Sequence, residues 1–153
     1  STRLDYCNAL YSGLSATNLS RLQRIQNAAA RIVTQSSRRS HASPILSDLH
    51  WLPVRARINF KLATLTYKTL ASGKPNYLNN LLIPYIPKRQ LRSAFSSKLA
   101  VPCRKSTMAQ SKSFSSSAVS VWNSLPHSVT SAGDLKTFRT LLKTHLFTDR
   151  QID

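Results

Sequence analysis

Arg57, Lys61, Thr64 and Lys68 fall at i, i+4, i+7 and i+11, a spacing that would set three cations and a hydroxyl along one edge of a helix. Two other groups carry the same chemistry. Arg21, Arg24 and Arg31 share one side of an earlier helical pattern. Arg92, Lys98, Arg104 and Lys105, with Lys112 just beyond, follow in a proline-containing stretch that holds no acid. Guanidinium and ammonium groups placed this way neutralise phosphates and release the counterions condensed on nucleic acid. Such contacts hold a backbone without reading its sequence. One basic stripe is ordinarily a solvated face, but three of them with almost no interleaved acid point to binding.

Other chemistries lack their residues. The acids are Asp5, Asp48, Asp134, Asp149 and Asp153, with no glutamate. Two-metal phosphoryl transfer needs clustered carboxylates, and acid–base hydrolysis needs a positioned pair. Gly13, Gly73 and Gly133 stand alone, so no glycine-rich loop is available to cradle a phosphate. His41, His50, His127 and His145 are dispersed, and Cys7 and Cys103 fit no metal-knuckle spacing. No catalytic residue, metal site or cofactor site is read from this chain. The cysteines suit the reduced thiols of an intracellular protein.

The charge balance agrees with the cationic stripes. Lys and Arg total 22 against five acids, a formal net charge of +17 over 153 residues. That excess repels itself in the folded state and calls for a polyanionic partner, nucleic acid before an anionic membrane. A membrane-surface helix would gather the cations on one face, whereas here they run from Arg3 to Arg150. No apolar run reaches the length of a membrane span, and the opening residues lack a signal-peptide core.

The cations must be positioned by elements that the apolar pattern predicts. The stretch around Arg57 is bounded by Pro53, suited to a first helical position, and by the stop signals Gly73 and Pro75. Val54, Ile58, Phe60, Leu62, Leu65, Tyr67 and Leu70 cover more than half of its circumference. A largely buried central helix with one cationic edge is therefore expected. Ser15 would cap an earlier helix over 16–34, with Leu19, Leu22, Ile25, Ala29, Ile32 and Val33 turned inward. Ser43-Pro44 would open a short helix ending near His50, and 76–83 another between Pro75 and Pro84.

Residues 84–107 read as an extended basic strap, because Pro84, Pro87 and Pro102 exclude a continuous helix. Ser97 to Cys103 suit a short strand within it. A serine-rich helix over 109–123 turns Phe114, Ala118, Val121 and Trp122 inward. The last helix, 134–147, sets Leu135, Phe138, Leu141, Leu142 and Leu146 opposite Lys136, Arg139 and Lys143, with Asp134 at its positive end. Trp51, Phe60, Tyr67 and Trp122 read as core anchors, and Tyr85 as the aromatic least suited to a core. The opening pattern of Leu4, Cys7, Leu10, Tyr11 and Leu14 is helical but uncapped, and Met108 is the only methionine. The chain thus reads as a piece of a longer polypeptide. The expectation is a mainly α single domain over 1–153, an irregular bundle of about five to seven helices with a proline-containing basic strap and room for one short β-hairpin.

Ordered words along the chain add a resemblance. They run from Thr2-Arg3-Leu4-Asp5-Tyr6-Cys7-Asn8 through Leu22-Gln23-Arg24-Ile25-Gln26-Asn27-Ala28-Ala29-Ala30-Arg31, Leu49-His50-Trp51-Leu52-Pro53-Val54 and Leu65-Thr66-Tyr67-Lys68. Leu91-Arg92-Ser93, Val101-Pro102, Trp122-Asn123-Ser124-Leu125-Pro126, Phe138 and Leu142-Lys143-Thr144-His145-Leu146-Phe147 complete them. In this order they resemble the C-terminal part of reverse transcriptases from LINE-type (non-LTR) retrotransposons, of the LINE-two and jockey-like kind. The resemblance implies the helical thumb and C-terminal extension of an RNA-directed DNA polymerase. Its fingers and palm, with the paired-aspartate motif and the Mg²⁺ they hold, would lie upstream. It implies as partners an RNA template, an RNA–DNA hybrid, target DNA and the upstream palm and fingers, in a ribonucleoprotein of nucleus and cytoplasm. The family usually has a Gly-Asp-Arg-Ala-Phe-like word where this chain has Gln110-Ser111-Lys112-Ser113-Phe114. Two other readings fit the residues: a stand-alone basic helical RNA- or DNA-binding protein, such as a captured transposon remnant, and a structural module for acidic protein partners.

Overall fold

The computed structural model describes residues 5–87, 98–102 and 113–148. The fold is mainly α, with eight helical elements among those residues and one isolated antiparallel bridge in place of any sheet. A 3₁₀ helix at Asn8–Gly13 precedes α1 (Ala16–Val33), α2 (Ala42–Asp48), α3 (Val54–Ser72) and α4 (Asn76–Asn79). After it come α5 (Phe114–Ser124), α6 (His127–Thr130) and α7 (Leu135–Thr148).

Helix α3 is the centre, packed against the 3₁₀ helix, α1, α4, α5 and α7. Its buried residues Val54, Ile58, Leu62, Ala63, Thr66 and Thr69 face several neighbours at once. The Thr66 hydroxyl donates to the Leu62 carbonyl at 2.9 Å, so its burial leaves no donor unpaired. Pro53 stands at the N-cap, one place earlier than expected, and Gly73 ends the helix in the left-handed region at φ 66°. That conformation suits a residue without Cβ.

The words at 22–31 and 49–54 meet at the start of α3. Gln23 Oε1 accepts from the Val54 N–H at 2.8 Å, supplying the acceptor that a first-turn amide lacks within its own helix. Gln23 Nε2 in turn donates to Asn27 Oδ1 at 2.8 Å. Gln26 Nε2 donates to the Leu52 carbonyl at 2.8 Å. These bonds rotate α1 away from its expected orientation. Gln26 and Ala30 are buried, whereas Ile25, Ile32 and Val33, expected inside, are exposed. Gln26 tolerates burial because its amide nitrogen has the Leu52 carbonyl to bind. The Ser15 cap is as expected, its hydroxyl accepting from the Asn18 N–H.

The main core joins α3, α5 and α7. Phe138 is fully buried between Tyr67, stacked at 4.3 Å between ring centroids, and Trp122 at 6.0 Å. Ala63 and Ala118, both fully buried, leave room for the rings. The Tyr67 hydroxyl donates to the Ala132 carbonyl at 2.8 Å, which satisfies the polar tip of a ring that packs on the core. Trp51 covers a smaller cluster of Ala30, Ile45 and Leu46. Tyr85 is exposed, as its proline-flanked position implied.

Of the strap, 84–87 and 98–102 lie within the described residues. Tyr85 N–H donates to the Lys98 carbonyl at 2.9 Å and Ala100 N–H to the Ile83 carbonyl at 2.8 Å, on either side of the bridge between Pro84 and Leu99. Pro84 sits where no donor to the partner strand is required. Leu99 points its own N–H and carbonyl the other way, and Asn123 meets both. Its Oδ1 accepts from Leu99 N–H at 2.9 Å and its Nδ2 donates to the Leu99 carbonyl at 2.8 Å. The asparagine of the Trp-Asn-Ser-Leu-Pro word therefore acts as a third strand one residue long.

Four expected elements differ. The serine-rich helix expected over 109–123 runs from Phe114 to Ser124 as α5, because Ser113 before it is extended, and 109–112 lie outside the described residues. The opening pattern forms a 3₁₀ helix after a left-handed Cys7 at φ 51°, and Leu10 is exposed. Helix α2 begins at Ala42 with His41 in the cap position, ahead of Ser43-Pro44. Helix α4 ends at Asn79, and Leu82 enters the core from an irregular segment. A one-turn helix, α6, follows Pro126 where no element was expected.

Candidate nucleic-acid interface

The cationic edge of α3 is real as geometry. Arg57, Lys61, Thr64 and Lys68 line one wall of a groove of about 550 Å³ whose other wall carries Leu135, Arg139 and Lys143 of α7. The burial of Phe138 and Leu142 fixes the rotation of α7, and Arg139 and Lys143 then fall beside the α3 edge. Two smaller pockets extend the groove toward the α2–α3 turn: one of about 390 Å³ shares His50, Phe60, Arg139 and Lys143 with it, and one of about 360 Å³ shares His50. Five cations thus face one carboxylate, that of Asp5.

Arg57 differs from the other four. Its Nε donates to the Leu52 carbonyl at 2.9 Å, and its Nη1 contacts both Asp5 oxygens at 2.7 and 2.9 Å. Its side chain is 13% exposed. Arg57 therefore positions the 50–57 turn, with its charge already matched. Lys61, Lys68 and Lys143 are exposed, and Arg139 lies over the Phe60 ring, 5.9 Å from the centroid. Among the described residues no ion pair involves these four.

The remaining sequence-expected residues are distributed more widely. Arg21 and Arg24 are exposed on α1 and do not line this groove. Arg31 spends its guanidinium on the Ser40 carbonyl, through Nε at 3.0 Å and Nη2 at 2.9 Å, and so holds the α1–α2 connection. Lys98 is exposed in the strap, where its carbonyl accepts the Tyr85 bond. Arg92, Arg104, Lys105 and Lys112 lie outside the described residues. Arg139 and Lys143 are the additions. Their i, i+4 spacing without an intervening acid was legible, but their placement beside α3 depends on tertiary packing.

A second cavity of about 440 Å³ lies on the opposite side of α3, where Arg55 and Asn59 face Ser116, Ser117, Ser120 and Ser124 of α5. One cation among hydroxyls makes a weaker anion site than the α3–α7 groove. Among the described residues, no three of the His, Cys and Asp side chains gather as a metal-binding group, and no helix is long and apolar enough to cross a membrane. No family model matches the chain, and no curated protein or solved structure matches it.

Proposed function

We propose that this chain is a non-catalytic nucleic-acid-gripping module that holds a phosphate backbone in the α3–α7 groove. The observation that carries the reading is the convergence of Lys61, Lys68, Arg139 and Lys143 from two helices on one groove, with its single carboxylate already bound to Arg57. Cations held by separate rigid helices can meet successive phosphates without reordering the chain. The resemblance stated above extends the proposal: the module would be the thumb and C-terminal portion of a non-LTR retrotransposon reverse transcriptase. It would grip template and primer while an upstream palm performs Mg²⁺-dependent synthesis.

Titration of the chain with RNA, RNA–DNA hybrid and B-form DNA at several salt concentrations tests the gripping role. Log K should fall linearly with log salt, with similar slopes on unrelated sequences. Binding that ignores salt, or equal binding to an acidic protein of the same charge density, would favour a protein-interaction module.

A further inference from the structure

The groove changes character at its end near the α2–α3 turn. The pocket there, about 390 Å³, is walled by His50, Phe60 and Phe147, with Arg139 and Lys143 above the rings. Both phenylalanines are half-buried, so each also presents ring surface outside the core. Arg139 lies 5.9 Å from the Phe60 centroid and Lys143 5.8 Å from that of Phe147. A site that held only backbone would need the cations and no aromatic floor beneath them. Aromatic rings beside cations give a base a stacking face while its phosphate is neutralised, Arg139 and Lys143 leaving their places over the rings for the phosphate.

The third wall supports this. His50 occupies the left-handed position after α2, at φ 51°, where Trp51 N–H closes onto the Leu46 carbonyl at 2.8 Å. Glycine is the favoured residue at such a helix end. The chain holds an imidazole there instead, and it lines this pocket and both adjoining ones.

We infer that this pocket takes an unpaired nucleobase, stacked against Phe60 or Phe147 beside His50, with the adjoining phosphate on Arg139 and Lys143. The inference rests on the groove being a nucleic-acid site and adds that the strand reaching this end is single-stranded. The test compares a mixed-sequence single-stranded DNA with a strand of equal length and charge built from abasic sites. Binding of the whole chain to both is measured by anisotropy. The variant Phe60→Leu/Phe147→Leu keeps apolar bulk in both places. It should weaken binding to the strand with bases by about 5- to 150-fold per base unstacked, leave the salt slope unchanged and leave the abasic strand's affinity unchanged. His50→Gly, which suits the backbone, should show the same selectivity without loss of thermal stability. Equal losses on the two strands, or no loss on either, would overturn the inference. Failure of the parent chain to bind either strand would instead overturn the groove reading, and this inference with it.

Discussion

Single side chains close the backbone bonds that hold the irregular parts of this fold. Asn123 is the clearest case, since its amide satisfies both main-chain groups of Leu99, a residue 4% exposed. Asn123→Ala would leave that N–H and carbonyl unpaired near the core, a loss of about 1–3 kcal/mol. Urea denaturation should show the midpoint falling with little change in slope; an unshifted midpoint would mean that the strap is held by other contacts. Asp134 gives a pH-dependent case. Its carboxylate accepts from the Thr137 hydroxyl and from the Thr137 N–H, and these bonds hold its pKa below the ordinary 3.8. A lowered folded-state pKa stabilises above the unfolded value, and the stabilisation is lost as pH falls through the lowered value. The stability deficit of Asp134→Ala should therefore be full at pH 6 and shrink below pH 3.8, as followed by thermal melts. A deficit constant with pH would deny the carboxylate its capping role.

At the scale of elements, the α1–α3 junction holds two glutamines of unequal weight. Gln23→Leu removes the acceptor of Val54 N–H and should cost about 1–2 kcal/mol, in the range of a lost helix cap. Gln26→Leu removes a bond to the Leu52 carbonyl, which Arg57 still contacts, and also removes a buried Oε1 with no partner among the described residues. Its cost should be smaller than that of Gln23→Leu, and equal melting-temperature losses would contradict the account. These contacts mark the limit of what the sequence made legible. The course of α3 followed from Val54, Ile58 and Leu62 recurring at helical spacing between Pro53 and Gly73. The rotation of α1 did not, because Gln26 is buried for a carbonyl 26 residues away. Likewise, the α3 edge was legible as a stripe, whereas the partners of Arg57 and Arg31 were not. A carbonyl acceptor leaves no trace in residue type. Nor could periodicity say that Arg139 and Lys143 would face Lys61 and Lys68, since that follows from where Phe138 finds its ring partners.

For the whole molecule, the net charge of +17 sets two salt responses of opposite sign. Screening relieves self-repulsion, so the melting temperature should rise as salt is added to the unliganded chain, while affinity for nucleic acid falls. A melting temperature that drops with added salt would mean that specific ion pairs outweigh the general repulsion. The central claim is that the positive field is focused in the α3–α7 groove and not spread over the surface. The most direct measurement compares two variants that lose the same three charges. Lys61→Gln/Lys68→Gln/Lys143→Gln removes three of the five groove cations, and Arg21→Gln/Arg24→Gln/Arg38→Gln removes exposed cations outside it. With B-form DNA, each lost phosphate contact lowers the log–log salt slope by about 0.9, so the groove variant should fall by up to about 2.7. The α1-side variant should keep nearly the parent slope, with only a modest loss of affinity. Equal slopes for the two variants, or a larger drop for the α1-side one, would contradict the claim.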